Sequence, residues 1–465
     1  MELDRFKDFD NETRSAVLNF EQKSHSGTGQ YFDMDELETV IDFYLETNDL
    51  DAVLNALQYA DRLFPQANEF KLRRAHMYTN QGNPGKALPL LKEILLTEPG
   101  NTDAQYAMGI AYGVLEQPRK AIQYYQLAAA DGVELGLIYG NIGDEYYKMD
   151  NLDKAIVYYK KAIAQNPDEE RSMFNLLCIY EDLNRDREAE AFFRRQTETN
   201  PYSFPAWLAY GRACVNLEQW QQAIDAYEYA VVIEKTNIQA YFMLANAYRQ
   251  AGNPGKAVSV LHESLEYAED KSPVYYSMGM IYMECGNAAS AIVYFRKTVQ
   301  EDPYYGDAWQ VLGQCYANEN DIYTAIEMSE RALSINPRSA SYMLQLAWLN
   351  ECAGDEEKAD SLYQCAIHLD EVTDECWIRY ADFLMRKQRY DDAIAVLDKG
   401  LIDSVSQVEF NMRLAVCYFK TGRRNFLFNT IRACTTDPSF VPQHLIYICP
   451  EMANDHEVVS MIDSH

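Results

Sequence analysis

The stretch Asn151-Leu152-Asp153-Lys154-Ala155-Ile156-Val157-Tyr158-Tyr159-Lys160-Lys161-Ala162-Ile163-Ala164-Gln165-Asn166-Pro167 decides the fold, because it returns in altered form at a fixed interval along the 465-residue chain. Steps of 34 from Ala155 meet Ala87, Ala121, Ala189, Ala223, Ala257, Ala291, Ala325, Ala359 and Ala393 without an insertion. Val53 and Leu427 extend that series to twelve. The same step from Tyr146 meets Tyr44, Tyr78, Tyr112, Tyr180, Tyr248, Tyr282, Tyr316 and Tyr418, with Cys214, Asn350 and Leu384 as exceptions. A third series alternates Gly109, Gly143, Gly211, Gly279 and Gly313 with Ala75, Ala245, Ala347, Ala381 and Ala415. Three series in register over twelve periods mark a tandem array, in which each unit buries its apolar face only against its neighbours.

Each unit reads as two helices. In the fourth they are expected over about Leu137–Met149 and Leu152–Gln165, on the 3.6-residue recurrence of apolar positions. The small residue in each first helix and the alanine in each second helix permit close approach, and the tyrosine fills space between neighbouring pairs. Gly82-Asn83 and Gly286-Asn287 stand where a helix stop is expected. Pro65, Pro99, Pro167, Pro201, Pro303 and Pro337 close units, since proline suits the start of a segment and not a helix interior.

Taken from one unit, Trp309, Leu312, Gly313, Tyr316, Ala325, Ala332 and Pro337 resemble the pattern of the tetratricopeptide repeat. The resemblance covers residues 34–441 as twelve repeats, starting at 34, 68, 102, 136, 170, 204, 238, 272, 306, 340, 374 and 408. It implies an all-α solenoid, a right-handed superhelix of antiparallel helix pairs. Lys235, Glu269 and Glu371 replace the closing proline, Asn350 and Asn411 stand where bulk is usual, and the last repeat departs most, with Leu427 in place of alanine. Residues 1–33 and 442–465 are expected to be polar-faced caps. The first of these holds Phe6, Phe9, Val17, Leu18 and Phe20, with a flexible turn expected over residues 24–30. A second reading lets this tethered segment fold back into the groove of the array and compete with a partner.

Composition narrows the function. Forty-one basic against 71 acidic residues give a net charge of −30, which repels phosphate backbones and argues against nucleic acid and anionic membrane as partners. No apolar run approaches the ~20 residues of a membrane span. The first residues lack the apolar core of a secretion signal, and the ten cysteines include no CxxC pair, so a reducing, cytoplasmic setting is expected. No motif of an active site appears. Gly82-Asn-Pro-Gly-Lys86 and its copy Gly252-Asn-Pro-Gly-Lys256 are too short for a phosphate loop, and no Ser or Thr follows the lysine. The seven histidines form no HExxH and no close pair. No catalytic residue, cofactor or metal site is assigned.

The informative pattern lies on the first helices. With each unit numbered from its start, positions 4, 7, 8 and 11 share one face at 100° per residue, and positions 5, 9 and 12 lie nearly opposite. That opposite face should be polar on an ordinary two-faced helix. Position 5 instead reads Glu38, Leu72, Tyr106, Gly140, Phe174, Leu208, Phe242, Tyr276, Gln310, Leu344, Ile378 and Met412. The resemblance implies that these positions line a concave groove; the competing reading packs each against its neighbouring helix. The residues expected to contact a partner are Tyr106, Ile110, Phe174, Leu208, Arg212, Phe242, Asn246, Arg249, Tyr276, Met280 and Met283, with the arginines orienting it through carboxylates or carbonyls. Chaperone-type docking of a C-terminal carboxylate, which needs Lys at position 5, is excluded because none stands there. The expected function is a non-enzymatic scaffold for a protein or peptide segment with apolar anchors. The alternative is a structural protein that self-associates through its ends or convex face.

Overall fold

The computed structural model describes residues 4–6, 9–24, 32–132, 134–369, 372–402, 404, 407–437 and 440–463. Apart from Ser24, the turn expected over residues 24–30 lies outside them, as does Glu371. All regular structure among the described residues is helical, and from Met34 to Thr435 the helices come in pairs at the 34-residue interval. In the fourth pair the helices are Leu135–Lys148 and Leu152–Gln165. The fold is an α-solenoid. Its contacts divide the chain into two units, Met1–Ala251 and Gly252–His465. The first holds six pairs and the helix Ile238–Gln250; the second holds Pro254–Ser264, five pairs and a C-terminal segment.

Every turn within a pair is built alike. Asn48, Gly82, Glu116, Asp150, Asn184, Glu218, Gly252, Gly286, Asn320, Gly354, Gln388 and Gly422 are spaced by 34, and all have positive φ, between 54° and 86°. The residue after each reaches back into the helix. The Asn151 N–H donates to Tyr146 O at 2.9 Å, Arg185 to Tyr180 O at 2.8 Å and Asn287 to Tyr282 O at 2.9 Å. This is a left-handed C-terminal cap of the Schellman kind, which satisfies carbonyls the ending helix would leave unpaired. The tyrosine series thus also marks the backbone acceptor of each turn. In five of the twelve pairs the second helix then opens on a side-chain cap, as where Asn151 accepts from Lys154 N, Asn287 from Ser290 N and Asp321 from Thr324 N.

The registered small residues lie where helices touch. All ten alanines of the first series are at most 1% exposed. Gly109, Gly143, Gly211 and Gly279 each face an aromatic sixteen residues on, while Gly313 faces Ser329 and Gln345. A Cβ added at Gly143 would lie 2.7 Å from Tyr159, and one at Gly279 would lie 2.6 Å from Phe295. Where the same position is alanine, the residue sixteen on is smaller at Leu91, Leu261, Leu397 and Ile431; Ala347 with Tyr363 departs from this rule. Volume is largely conserved across these contacts, as close packing requires, with Ala347–Tyr363 and Gly313–Ser329 as exceptions.

The ends are covered by their own chain. Phe6, Val17, Phe20 and Phe32 are buried in one cluster with Leu37, Ile41, Phe43 and Leu57 of the first pair. Phe6 stacks on Phe43 at 5.0 Å, and Phe20 meets Tyr59 edge-on at 5.9 Å. The helix Asn11–Ser24 therefore lies on the first pair, not in a groove further along. At the other end Leu445, Met452, Val458 and Ile462 pack with Val416, Leu427 and Ile431.

Candidate functional site

On five of the first helices, position 6 links the repeat to the one before, at Arg73, Asn141, Asn175, Gln345 and Arg413. Arg73 donates to both oxygens of Asp42, at 2.8 and 2.6 Å, and Arg413 repeats this geometry on Asp382, at 2.8 and 3.1 Å. Asn141 donates to the Tyr106 hydroxyl at 2.8 Å, Asn175 to Asp144 at 3.1 Å and Gln345 to the Gln310 carbonyl at 2.8 Å. These rungs tie adjacent first helices together across the face that carries positions 5 and 9.

In the sixth and seventh repeats position 6 is apolar, as Ala209 and Met243, and a cleft of about 250 Å³ stands between the helices Glu170–Asp182, Phe204–Asn216 and Ile238–Gln250. Its lining is Glu170, Met173, Phe174, Leu177, Pro205, Leu208, Ala209, Arg212, Gln239 and Met243. Met173 and Leu177 are buried, whereas Phe174 is 53% exposed. The Arg212 guanidinium lies 5.7 Å from the centre of the Phe174 ring. It is held there by Glu181, to which it donates two hydrogen bonds at 2.8 and 2.7 Å. Asn216 donates to the same carboxylate at 2.8 Å. A bidentate pair of this kind fixes orientation and neutralises both charges.

Of the residues expected to contact a partner, the cleft unites Phe174, Leu208 and Arg212. Tyr106 is half-buried, its hydroxyl held by Asn141 and its ring 5.7 Å from Tyr125; burial pushes its phenol above the ordinary range. Ile110 is half-buried against the core of its repeat. Phe242 is half-buried outside the cleft lining, and Asn246 is exposed and accepts from Arg249 at 2.7 Å. In the second unit Tyr276 sits 5.6 Å from Phe295 and 5.0 Å from Tyr305, and Met280 and Met283 rest half-buried on the same core. The helical angles missed Met243, Gln239 and Pro205. They stand at positions 6 and 2, which flank position 5 on the helix surface and face the preceding repeat. The available signal was that apolar residues stand at position 6 in two consecutive repeats, whereas Ala107 and Val311 stand there singly.

A second depression, in Gly252–His465, is polar. Gln310, Gln314 and Asn318 recur at every fourth residue of one helix and face Ser341, Gln345 and Trp348 of the next, with Arg379 at its edge paired to Glu375 at 2.7 Å. Six of the ten cysteines, Cys214, Cys315, Cys376, Cys417, Cys434 and Cys449, are buried packing residues. Burial pushes the Cys214 thiol up to about 11 and those of Cys417 and Cys434 to about 12, well away from thiolate chemistry. Among the described residues no three His, Cys, Asp or Glu side chains are grouped to hold a metal ion, and no helix is long and apolar enough to cross a membrane.

Sequence profiles described as tetratricopeptide repeat match residues 137–169, 170–203, 238–271, 272–305 and 306–339. The chain contains tetratricopeptide repeats. Among curated proteins the chain is similar to anaphase-promoting complex subunit 3 of Schizosaccharomyces pombe, at 19% identity over 52% of this chain and 36% of that one. It is also similar to the TPR repeat-containing protein YpiA of Bacillus subtilis, at 22% identity over 78% of this chain and 77% of that one. The chain thus spans little more than a third of the first relative and about three quarters of the second. Among solved structures, YrrB, described as a TPR protein with an unusual peptide-binding site, aligns with a TM-score of 0.31 at 24% identity, covering 40% of this chain and 95% of that one. The tetratricopeptide-repeat family supports, in general terms, a protein-interaction scaffold.

Proposed function

We propose that the protein is a non-enzymatic scaffold that holds a segment of another protein against its first helices, with the cleft at Phe174, Leu208 and Met243 as the principal contact. The observation that carries this reading is the run of two consecutive apolar residues at position 6, Ala209 and Met243, beside an apolar cleft with an exposed aromatic wall. An exposed Phe beside a buried floor is the arrangement that anchors a partner side chain. Arg212 serves as part of the wall, since its hydrogen bonds go to Glu181. The test is capture of partners from the source cell by the full chain and by a Phe174→Ala/Leu208→Ala variant of unchanged helical content. A set of proteins retained by the first and lost by the second supports the reading; identical sets contradict it.

A self-assembling role is the rival. It is favoured by the helix Trp220–Ile233, where Tyr229 is 56% exposed and stacked on Trp207 at 4.5 Å, and Val232 is 68% exposed. Light scattering without any partner separates the two, because only self-assembly makes the mass rise with concentration.

A further inference from the structure

The cleft's electrostatics name the kind of segment it takes, given the groove reading above. Its volume, about 250 Å³, exceeds the roughly 150 Å³ that encloses a benzene ring and falls short of the ~300–1,000 Å³ of sites for drug-sized ligands. It therefore suits one bulky apolar side chain. Of the two ionisable residues in its lining, Arg212 is neutralised by Glu181. Glu170, in contrast, is exposed and makes no ion pair or side-chain hydrogen bond with any described residue. It stands four residues before Phe174 on the same helix, about 6 Å along the axis, or two residues of an extended peptide. The net charge of −30 adds a long-range field of the same sign.

We infer that the cleft takes a single bulky apolar side chain from a partner segment that carries Lys or Arg within two residues of it, the cation pairing with Glu170. A second copy of this chain is disfavoured as the occupant, since two bodies of charge −30 repel.

The test uses the full chain labelled with ¹³C at the methionine methyls. The Met243 signal is identified by its loss in Met243→Leu. Two synthetic peptides are titrated, Ser-Lys-Lys-Phe-Lys-Ser and Ser-Glu-Glu-Phe-Glu-Ser. The expected result is a saturable Met243 shift with the cationic peptide, at least fivefold weaker binding of the anionic one, and a two- to fivefold loss of the cationic peptide's affinity in Glu170→Gln, about the scale of an exposed ion pair. Rising salt should shrink the difference between the peptides. Equal binding of the two, no Met243 shift with either, or no effect of Glu170→Gln overturns the inference. A Met243 shift that grows with protein concentration alone overturns it too, in favour of a second copy. If the charge rule fails while Leu208→Ala still abolishes the Met243 shift and partner capture, the groove reading stands without it. If Leu208→Ala changes neither, both fall.

Discussion

Single residues carry two kinds of tension in this chain. Twelve turns require the left-handed backbone, yet only Gly82, Gly252, Gly286, Gly354 and Gly422 meet that need with glycine. A residue with a Cβ costs about 1–2 kcal/mol there, offset in part by the greater freedom glycine loses on folding, roughly 0.5–1 kcal/mol. Glu218→Gly should therefore raise stability by up to about 1 kcal/mol, and Gly286→Ala should lower it by a similar amount, as read from urea midpoints. A loss of stability in Glu218→Gly or a gain in Gly286→Ala would show that side-chain contacts decide these turns. His76 carries the second tension. Its Nε2 is buried without a hydrogen bond, and burial together with Arg73 holds its imidazole below the ordinary range, against the opposing pull of Asp42 and Asp103. The unfolded chain then binds this proton more readily than the folded one, so stability falls as pH drops through about 6.5. His76→Leu should flatten that part of the stability profile between about pH 7.5 and 5.5; an unchanged slope would remove His76 as its source. The alanine and glycine registers were readable in the sequence because steric necessity repeats them. The left-handed position was not, because Glu, Gln, Asp and Asn share it with glycine.

At the scale of helices, what matters is which face each one buries. Phe193 is fully buried in the core of its repeat, while Phe174, on the preceding helix, is 53% exposed. Phe193→Ala should cost about 3–5 kcal/mol and Phe174→Ala less than about 1 kcal/mol, measured by chemical denaturation. Comparable losses would mean that Phe174 is core and that the cleft is a packing defect. The helix Asn11–Ser24 offers a further check. It buries Val17 and Phe20 against the first pair, each worth about 1.5–3 kcal/mol. Removing residues 1–30 should speed hydrogen exchange over Met34–Leu63 and leave the Met243 methyl unmoved; a shifted Met243 signal would place the segment in the groove after all. The stripe at position 5 was legible as unusual, but helical angles alone did not separate Phe174 from Tyr106. That difference depends on position 6 of the next repeat, where Asn141 bridges to Tyr106 and Ala209 leaves Phe174 open.

At the scale of the whole molecule, stability in a repeat array is close to a sum of units and their interfaces, so the site can change with little effect on the rest. The helix pairs from Met34 to Thr435 follow the 34-residue period, because no insertion breaks the register. The period says nothing of where the surface opens, since that depends on the side chains each repeat carries at positions 5 and 6. The central claim is that a partner sits at the cleft. It is tested most directly by placing the photo-crosslinking residue benzoylphenylalanine at position 174, and in a second protein at position 232 on the helix Trp220–Ile233, with irradiation in the source cell. The account predicts a crosslink to a different protein from position 174 and none to that protein from position 232. Crosslinks from position 232 alone, or only to a second copy of this chain, would contradict it.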